Sequence, residues 1–117
     1  MDESRPIFVQ IAERIENDII SGTLAEETQV PSTNEFAAFY RINPATAGKG
    51  VNLLVDEGVL YKKRGIGMFV ATGSQAQLTA KRRDQFHREY ITPLVDEAAK
   101  LGITTVQLAD LIRKERS

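Results

Sequence analysis

Apolar residues in the first twenty positions fall at Ile7, Phe8, Ile11, Ile15 and Ile19, the three-and-four spacing of one helix face. The spacing predicts a first helix with Pro6 at its first position and a stop at Ser21 and Gly22. After a loop over 23–30, Ser32 and Glu35 stand three apart, a capping-box spacing, ahead of the apolar Phe36, Ala37, Phe39 and Tyr40. A turn near Arg41 and Ile42 leads to Asn43 as cap and Pro44 at the first position of a third helix reaching about Glu57. In that helix Ala47, Val51, Leu54 and Val55 point inward, while Ala45, Lys49, Asn52 and Asp56 share the outer face. Gly48 near its front would let the backbone approach a groove; Gly50 reads as the small residue needed where the helix crosses a neighbour.

Beyond Gly58 the pattern changes to two short strands, 59–63 and 68–71, joined by a tip at Arg64, Gly65, Ile66 and Gly67. Two strands alone are marginal, so the hairpin must lean on the helices. Three helices followed by a hairpin give a mainly α fold with a small β-hairpin, a winged helix-turn-helix. Thr72, Gly73 and Ser74 mark the expected boundary, dividing the chain into a winged domain over 1–73 and an appendage over 74–117. In the appendage Leu78, Phe86, Tyr90, Leu94, Ala98 and Leu101 fit one long amphipathic helix ending at Gly102, with Pro93 expected to kink or locally break it. A shorter helix over 104–116 carries Val106, Leu108, Leu111 and Ile112. Two helices cannot build a core alone, so Leu94, Leu101, Val106, Leu108, Leu111 and Ile112 are expected to meet a second copy in a symmetric dimer.

Charge sharpens this picture. The chain of 117 residues has a net charge of -1, which by itself suits a nucleic-acid binder poorly. Its distribution is uneven: two basic against eight acidic residues precede Arg41, whereas nine basic face three acidic residues over 41–88. The basic stretch includes the third helix and the hairpin, whose Lys62, Lys63 and Arg64 adjoin the tip. A hydrophobic content of 42% with no long apolar run, no cysteine and no leader-like start makes a cytoplasmic protein without membrane association the expectation.

Enzymatic chemistry finds little support. His87 is the single histidine, and one imidazole makes neither a metal site nor a nucleophilic pair; with Asp84 three positions before it, it reads as a partly exposed helix residue. Asp56 and Glu57 are adjacent and diverge by about 100° on a helix. Gly65, Ile66 and Gly67 sit in a hairpin tip without the following helix that a phosphate-cradling loop requires. No cofactor and no metal are expected.

The residues Pro6, Ile7, Phe8, Gln10 and Ile11, then Gly22, Leu24, Val30, Pro31, Ser32, Glu35, Phe36 and Ala37 fall in a register that resembles the GntR family of bacterial transcription regulators. The match continues through Ile42, Asn43, Thr46, Glu57, Gly58, Val59, Leu60, Gly65, Gly67, Phe69 and Val70. The tail, with Pro93, Leu94, Val95, Glu97, Ala98, Leu101, Gly102 and Ile103, resembles the YtrA subfamily, in which two dimerising helices replace a large effector domain and whose members often regulate neighbouring transporter genes. Three positions depart from the family pattern: Asn34 stands where arginine is common, and Glu26 and Glu27 stand where Pro-Gly is common. Losing a bidentate arginine donor lowers affinity or changes the operator.

The resemblance implies a sequence-specific DNA-binding regulator, a repressor, gripping a near-palindromic stretch of double-stranded DNA as a homodimer with its third helices about 34 Å apart. Ser32, Thr33, Asn34, Asn43, Ala45, Thr46, Lys49 and Asn52 would face DNA, Thr46 on a phosphate and the surface around Ala45 and Lys49 on bases. Lys62, Lys63, Arg64, Gly65 and Gly67 would supply the wing contacts. Phe86 and Tyr90 are expected as core residues, with a small-effector pocket near them as the functional reading. The competing reading is a winged-helix interaction module that has lost DNA binding, since fold alone does not dictate function.

Overall fold

The computed structural model describes residues 3–117 and has six α-helices and one hairpin among them. Helix α1 spans Ile7–Ile20, α2 Thr33–Tyr40 and α3 Pro44–Asp56; strands β1 (Leu60–Lys63) and β2 (Gly67–Val70) follow, then α4 (Ser74–Phe86), α5 (Thr92–Lys100) and α6 (Thr105–Arg116). Pro6 is the residue before the first helical turn rather than its first member, so α1 begins one position later than expected. Both expected caps of the helix-turn-helix are in place. Ser32 Oγ accepts from Glu35 N at 3.1 Å while Glu35 Oε1 accepts from Ser32 N at 3.0 Å, and Asn43 Oδ1 accepts from Ala45 N at 2.8 Å.

One core unites the first three helices and the hairpin. Ile11, Ile15 and Ile19 of α1 lie against Ala47, Val51 and Leu54 of α3, with Phe36 and Ala37 of α2 and Val59, Leu60 and Val70 of the hairpin. Each fully buried aliphatic side chain contributes about 1.5–3 kcal/mol relative to exposure. Val55, expected inside, is only half-buried at the edge of this core. Gly50 does mark a helix crossing: a Cβ there would lie 2.6 Å from Phe8 O and 3.1 Å from Ile11 Cβ.

The strands pair antiparallel with Leu60 opposite Val70 and Tyr61 opposite Phe69. Each strand begins one residue later or earlier than the sequence pattern suggests, Val59 being the buried lead-in and Gly67 joining the ladder opposite Lys63. A third piece of backbone supports them as well as the helices. The loop before α2 runs along β2, with Glu27 N donating to Val70 O, Val70 N to Thr28 O and Val30 N to Met68 O.

The chain divides into two compact units, one reaching Thr79 and one over Ala80–Ser117. Thr72 to Ser74, expected as the boundary, instead leads into α4, whose first turns belong to the first unit. Leu78 is part of the core, and Ser74 Oγ donates to Val59 O at 2.9 Å. Gln75 Nε2 donates to Ile20 O near the end of α1, and Gln77 Nε2 to Glu57 O at the end of α3, so α4 satisfies carbonyls that the two helix ends leave open.

Within the second unit the long helix is continuous but not regular. Residues His87–Ile91 form a π-helical turn in which Thr92 N reaches back to His87 O. Pro93 has no N–H to donate, and the wider turn just before it is where the α-helical pattern is locally broken, as the sequence predicts. Helix α5 closes as expected at Gly102, with Ile103 N bonding Ala98 O and Gly102 N bonding Ala99 O. Thr104 and Gln107 then cap α6 reciprocally. Among the described residues of this unit only Ala98 is buried.

Candidate nucleic-acid interface

The amino end of α2 and the outer side of α3 meet on one face of the first unit. Thr33 Cγ2 lies 3.5 Å from where a Gly48 Cβ would stand, an ordinary contact, which brings Ser32, Thr33 and Asn34 beside the second turn of α3. Ser32 and Asn34 are exposed and Thr33 is half-buried. On α3, Asn43, Ala45, Lys49 and Asn52 are exposed and Thr46 is half-buried, so the outward face read from the spacing is the free face of the helix. Bonds from Ser32 N–H and the Ser32 hydroxyl hold the Glu35 carboxyl below the usual carboxylate range. It therefore carries a full negative charge at the amino end of α2, where the helix dipole favours it.

Lys49 and Lys63 are held by aromatic rings that the sequence reading did not connect to them. Lys49 Nζ stands 4.3 Å from the centroid of the Phe8 ring, a cation–π contact reaching from α3 to α1. Lys63 Nζ lies 4.2 Å from the Phe69 ring and 5.9 Å from the Tyr61 ring, because residues 61, 63 and 69 share one face of the hairpin. Lys62 projects from the opposite face, and Arg64 stands in the exposed tip.

The tip is firmly built. Ile66 N donates to Lys63 O at 2.9 Å, Gly65 has φ +77° and Gly67 φ +145°, and Gln29 Nε2 donates to Ile66 O at 3.0 Å. A Cβ on Gly67 would lie 2.5 Å from that Gln29 nitrogen, so the glycine makes room for the brace.

Glu26 and Glu27 bracket the hairpin and the start of α4. Glu27 takes φ +62°, the left-handed conformation that glycine adopts freely, and its carboxylate accepts from Tyr61 Oη and, at 2.6 Å, from Thr72 Oγ1. The Thr72 bond, then the Tyr61 bond, lowers the Glu27 pKa, and the same contact raises that of Tyr61. Glu26 accepts from Gly73 N at 2.9 Å and Gln75 N at 3.1 Å, supplying the carboxylate that α4 lacks in its own first turn. The two adjacent acids were visible in the sequence; their partners were not.

Phe86 and Tyr90, expected as core residues, are exposed and lie against each other with centroids 5.6 Å apart. His87 is exposed on the same π-helical turn. Among the described residues there is no cluster of three or more histidine, aspartate or glutamate side chains placed to hold a metal ion. None of their helices is long and apolar enough to cross a membrane.

Comparison with known proteins bears on the same region. Residues 8–70 match the family described as bacterial regulatory proteins, gntR family. Over 110 residues the chain is 27% identical to an uncharacterised HTH-type transcriptional regulator, YhcF, of Bacillus subtilis, spanning 94% of this chain and 89% of that one. It is 24% identical to the HTH-type transcriptional repressor YtrA of the same organism, over 95% of this chain and 85% of the other. Among solved structures, a GntR family transcriptional regulator from Listeria monocytogenes superposes with a TM-score of 0.85 at 27% identity, covering 97% of this chain and 98% of its own. The DNA-binding domain of AraR in complex with operator ORR3 matches at TM-score 0.53 and 31% identity, over 55% of this chain and 77% of that domain. The family and these relatives are regulators of transcription rather than enzymes.

Proposed function

Because the chain belongs to the gntR family of bacterial regulatory proteins, we propose that it is a sequence-specific DNA-binding repressor that grips a near-palindromic operator as a homodimer. The observation that carries this reading is the free outer face of α3, with Ala45, Lys49 and Asn52 exposed on a helix that leads directly into a cationic hairpin. Ala45, Lys49 and Asn52 meet base edges, small and polar groups on a helix thin enough at Gly48 to approach the groove floor. Ser32, Thr33, Asn34, Asn43 and Thr46, at or near the amino ends of α2 and α3, hold phosphates there. Lys62, Lys63 and Arg64 hold the backbone at the wing, with Gly65 and Gly67 allowing close approach. The operator complex of AraR and the repressor name of YtrA support the assignment.

Helices α5 and α6 supply the dimer contact through Leu94, Leu101, Val106, Leu111 and Ile112, which are exposed, and Leu108, which is half-buried. The Phe86 ring at the end of α4 and the Tyr90 ring on the π-helical turn are the contact offered to a small effector.

Selection from a random duplex pool, together with the duplex upstream of the protein's own gene, tests this. The selected duplex, labelled for fluorescence anisotropy, should show two half-sites and a log Kobs that falls with log salt by about 0.9 per phosphate contacted. Replacing both Lys62 and Arg64 by alanine should make that slope shallower by about two per wing, one per lost contact. A pool from which nothing is enriched, with equal binding of scrambled duplexes, would leave the interaction-module reading in its place.

A further inference from the structure

Ile66 is the apolar side chain of a hairpin tip whose other side chains, Lys63 and Arg64, are cationic. It is 64% exposed and flanked by two glycines, and a Cβ on Gly65 would have no heavy atom within 4 Å. Its backbone is fixed on both sides, by Lys63 O accepting from its N–H and by Gln29 donating to its carbonyl. A branched aliphatic side chain is thus presented on a braced backbone. Single exposed apolar residues are common and need no function. Here, however, the residue stands between Arg64 and the ladder, and Lys63 is turned toward the Phe69 ring, which leaves Ile66 and Arg64 as the side chains of the apex itself.

We infer that Ile66 enters the minor groove of the operator and selects A·T over G·C base pairs there by excluding the guanine amino group. This deepens the DNA-binding reading and rests on it. In the minor groove A·T and T·A present only acceptors, whereas a G·C pair adds the guanine N2 amino donor. Isoleucine has no acceptor to meet that donor, so a close approach strips it of water without replacing the bond. Over A·T pairs no amino group stands in the way. Ile66 therefore adds specificity that the polar wing residues, directed at phosphates, do not provide.

Base analogues isolate the amino group. With the full-length chain and its selected operator, each flanking pair is changed in turn and affinity is read by anisotropy. At the wing positions, A·T to G·C should weaken binding about five- to tenfold. Inosine·C, which lacks the amino group, should restore it, and 2,6-diaminopurine·T, which gains one, should bind as weakly as G·C. Ile66→Gln and Ile66→Ser, at an exposed tip, should keep the parent's thermal midpoint and compress these differences to about twofold or less. Inosine binding as weakly as guanine, or discrimination that survives in Ile66→Gln, would overturn the inference while leaving the DNA-binding reading intact. A selection that enriches no duplex would overturn both.

Discussion

Arg41 closes α2 in the left-handed conformation, φ +56°, with Ile42 N bonding Ala37 O across it. Glycine is the residue that adopts this conformation without strain. Arg41→Gly should raise the unfolding free energy by about 0.5–1 kcal/mol, the relieved strain less a small loss at the helix dipole. Urea denaturation measures it, and a less stable variant would mean that the side chain makes a stronger contact than strain relief can offset. Glu27 shares the left-handed geometry but uses its side chain, through Thr72 and Tyr61. Its pKa is depressed in the folded chain, so its stabilisation is complete above the ordinary carboxylate pKa of 4.5 and is lost as pH falls through the lower folded value. Tyr61 behaves in the opposite sense: its pKa is raised, and its share is lost as pH rises through the folded value above 10.0. Glu27→Gln should therefore be less stable than the parent at neutral pH and flatter below pH 4.5, in urea midpoints taken across the acid range.

Among the elements, α1 and α3 set the tightest tolerance. Gly48 and Gly50 are two residues apart in α3, yet a methyl group on Gly48 meets only ordinary contact whereas one on Gly50 meets the backbone of α1. Gly48→Ala should stabilise by about 1 kcal/mol through helix propensity. Gly50→Ala should destabilise by about 1–2 kcal/mol, the overpacking cost less that same propensity gain. If Gly48 also gives the helix its close approach to DNA, Gly48→Ala will bind the operator more weakly while folding more tightly, a split that thermal melts and anisotropy together resolve. The hairpin is the element whose support was least visible in its own residues. Its brace comes from Gln29, Glu27 and the loop ahead of α2, more than thirty residues earlier in the chain.

For the whole molecule, the second unit presents an apolar surface with only Ala98 buried among its described residues. Dimerisation through that surface would remove Val106, Leu111 and Ile112 from water. Leu111→Glu combined with Ile112→Glu should shift the particle from dimer to monomer in analytical ultracentrifugation and weaken operator binding at least tenfold, as half-sites cease to bind together. A variant that stays dimeric would move the interface elsewhere.

The helix-turn-helix was legible because its signals are local. Ser32 with Glu35, and Asn43 with Pro44, specify helix starts within a few residues, and the period of Ile11, Ile15 and Ile19 specifies a buried face. The exposed side of α3 followed in the same way from the spacing of Ala47, Val51 and Leu54, which leaves Ala45, Lys49 and Asn52 facing outward. The sequence by itself determined the order of the α-helices and strands, the caps of α2 and α3 and the chain's likeness to a regulator family. Only the tertiary structure decided that Glu26 caps α4, that Lys63 rests on Phe69, that Ile66 is braced at the tip, and that the first unit extends to Thr79. Those outcomes depend on pairs distant in sequence, and no local propensity encodes which distant group a side chain will meet.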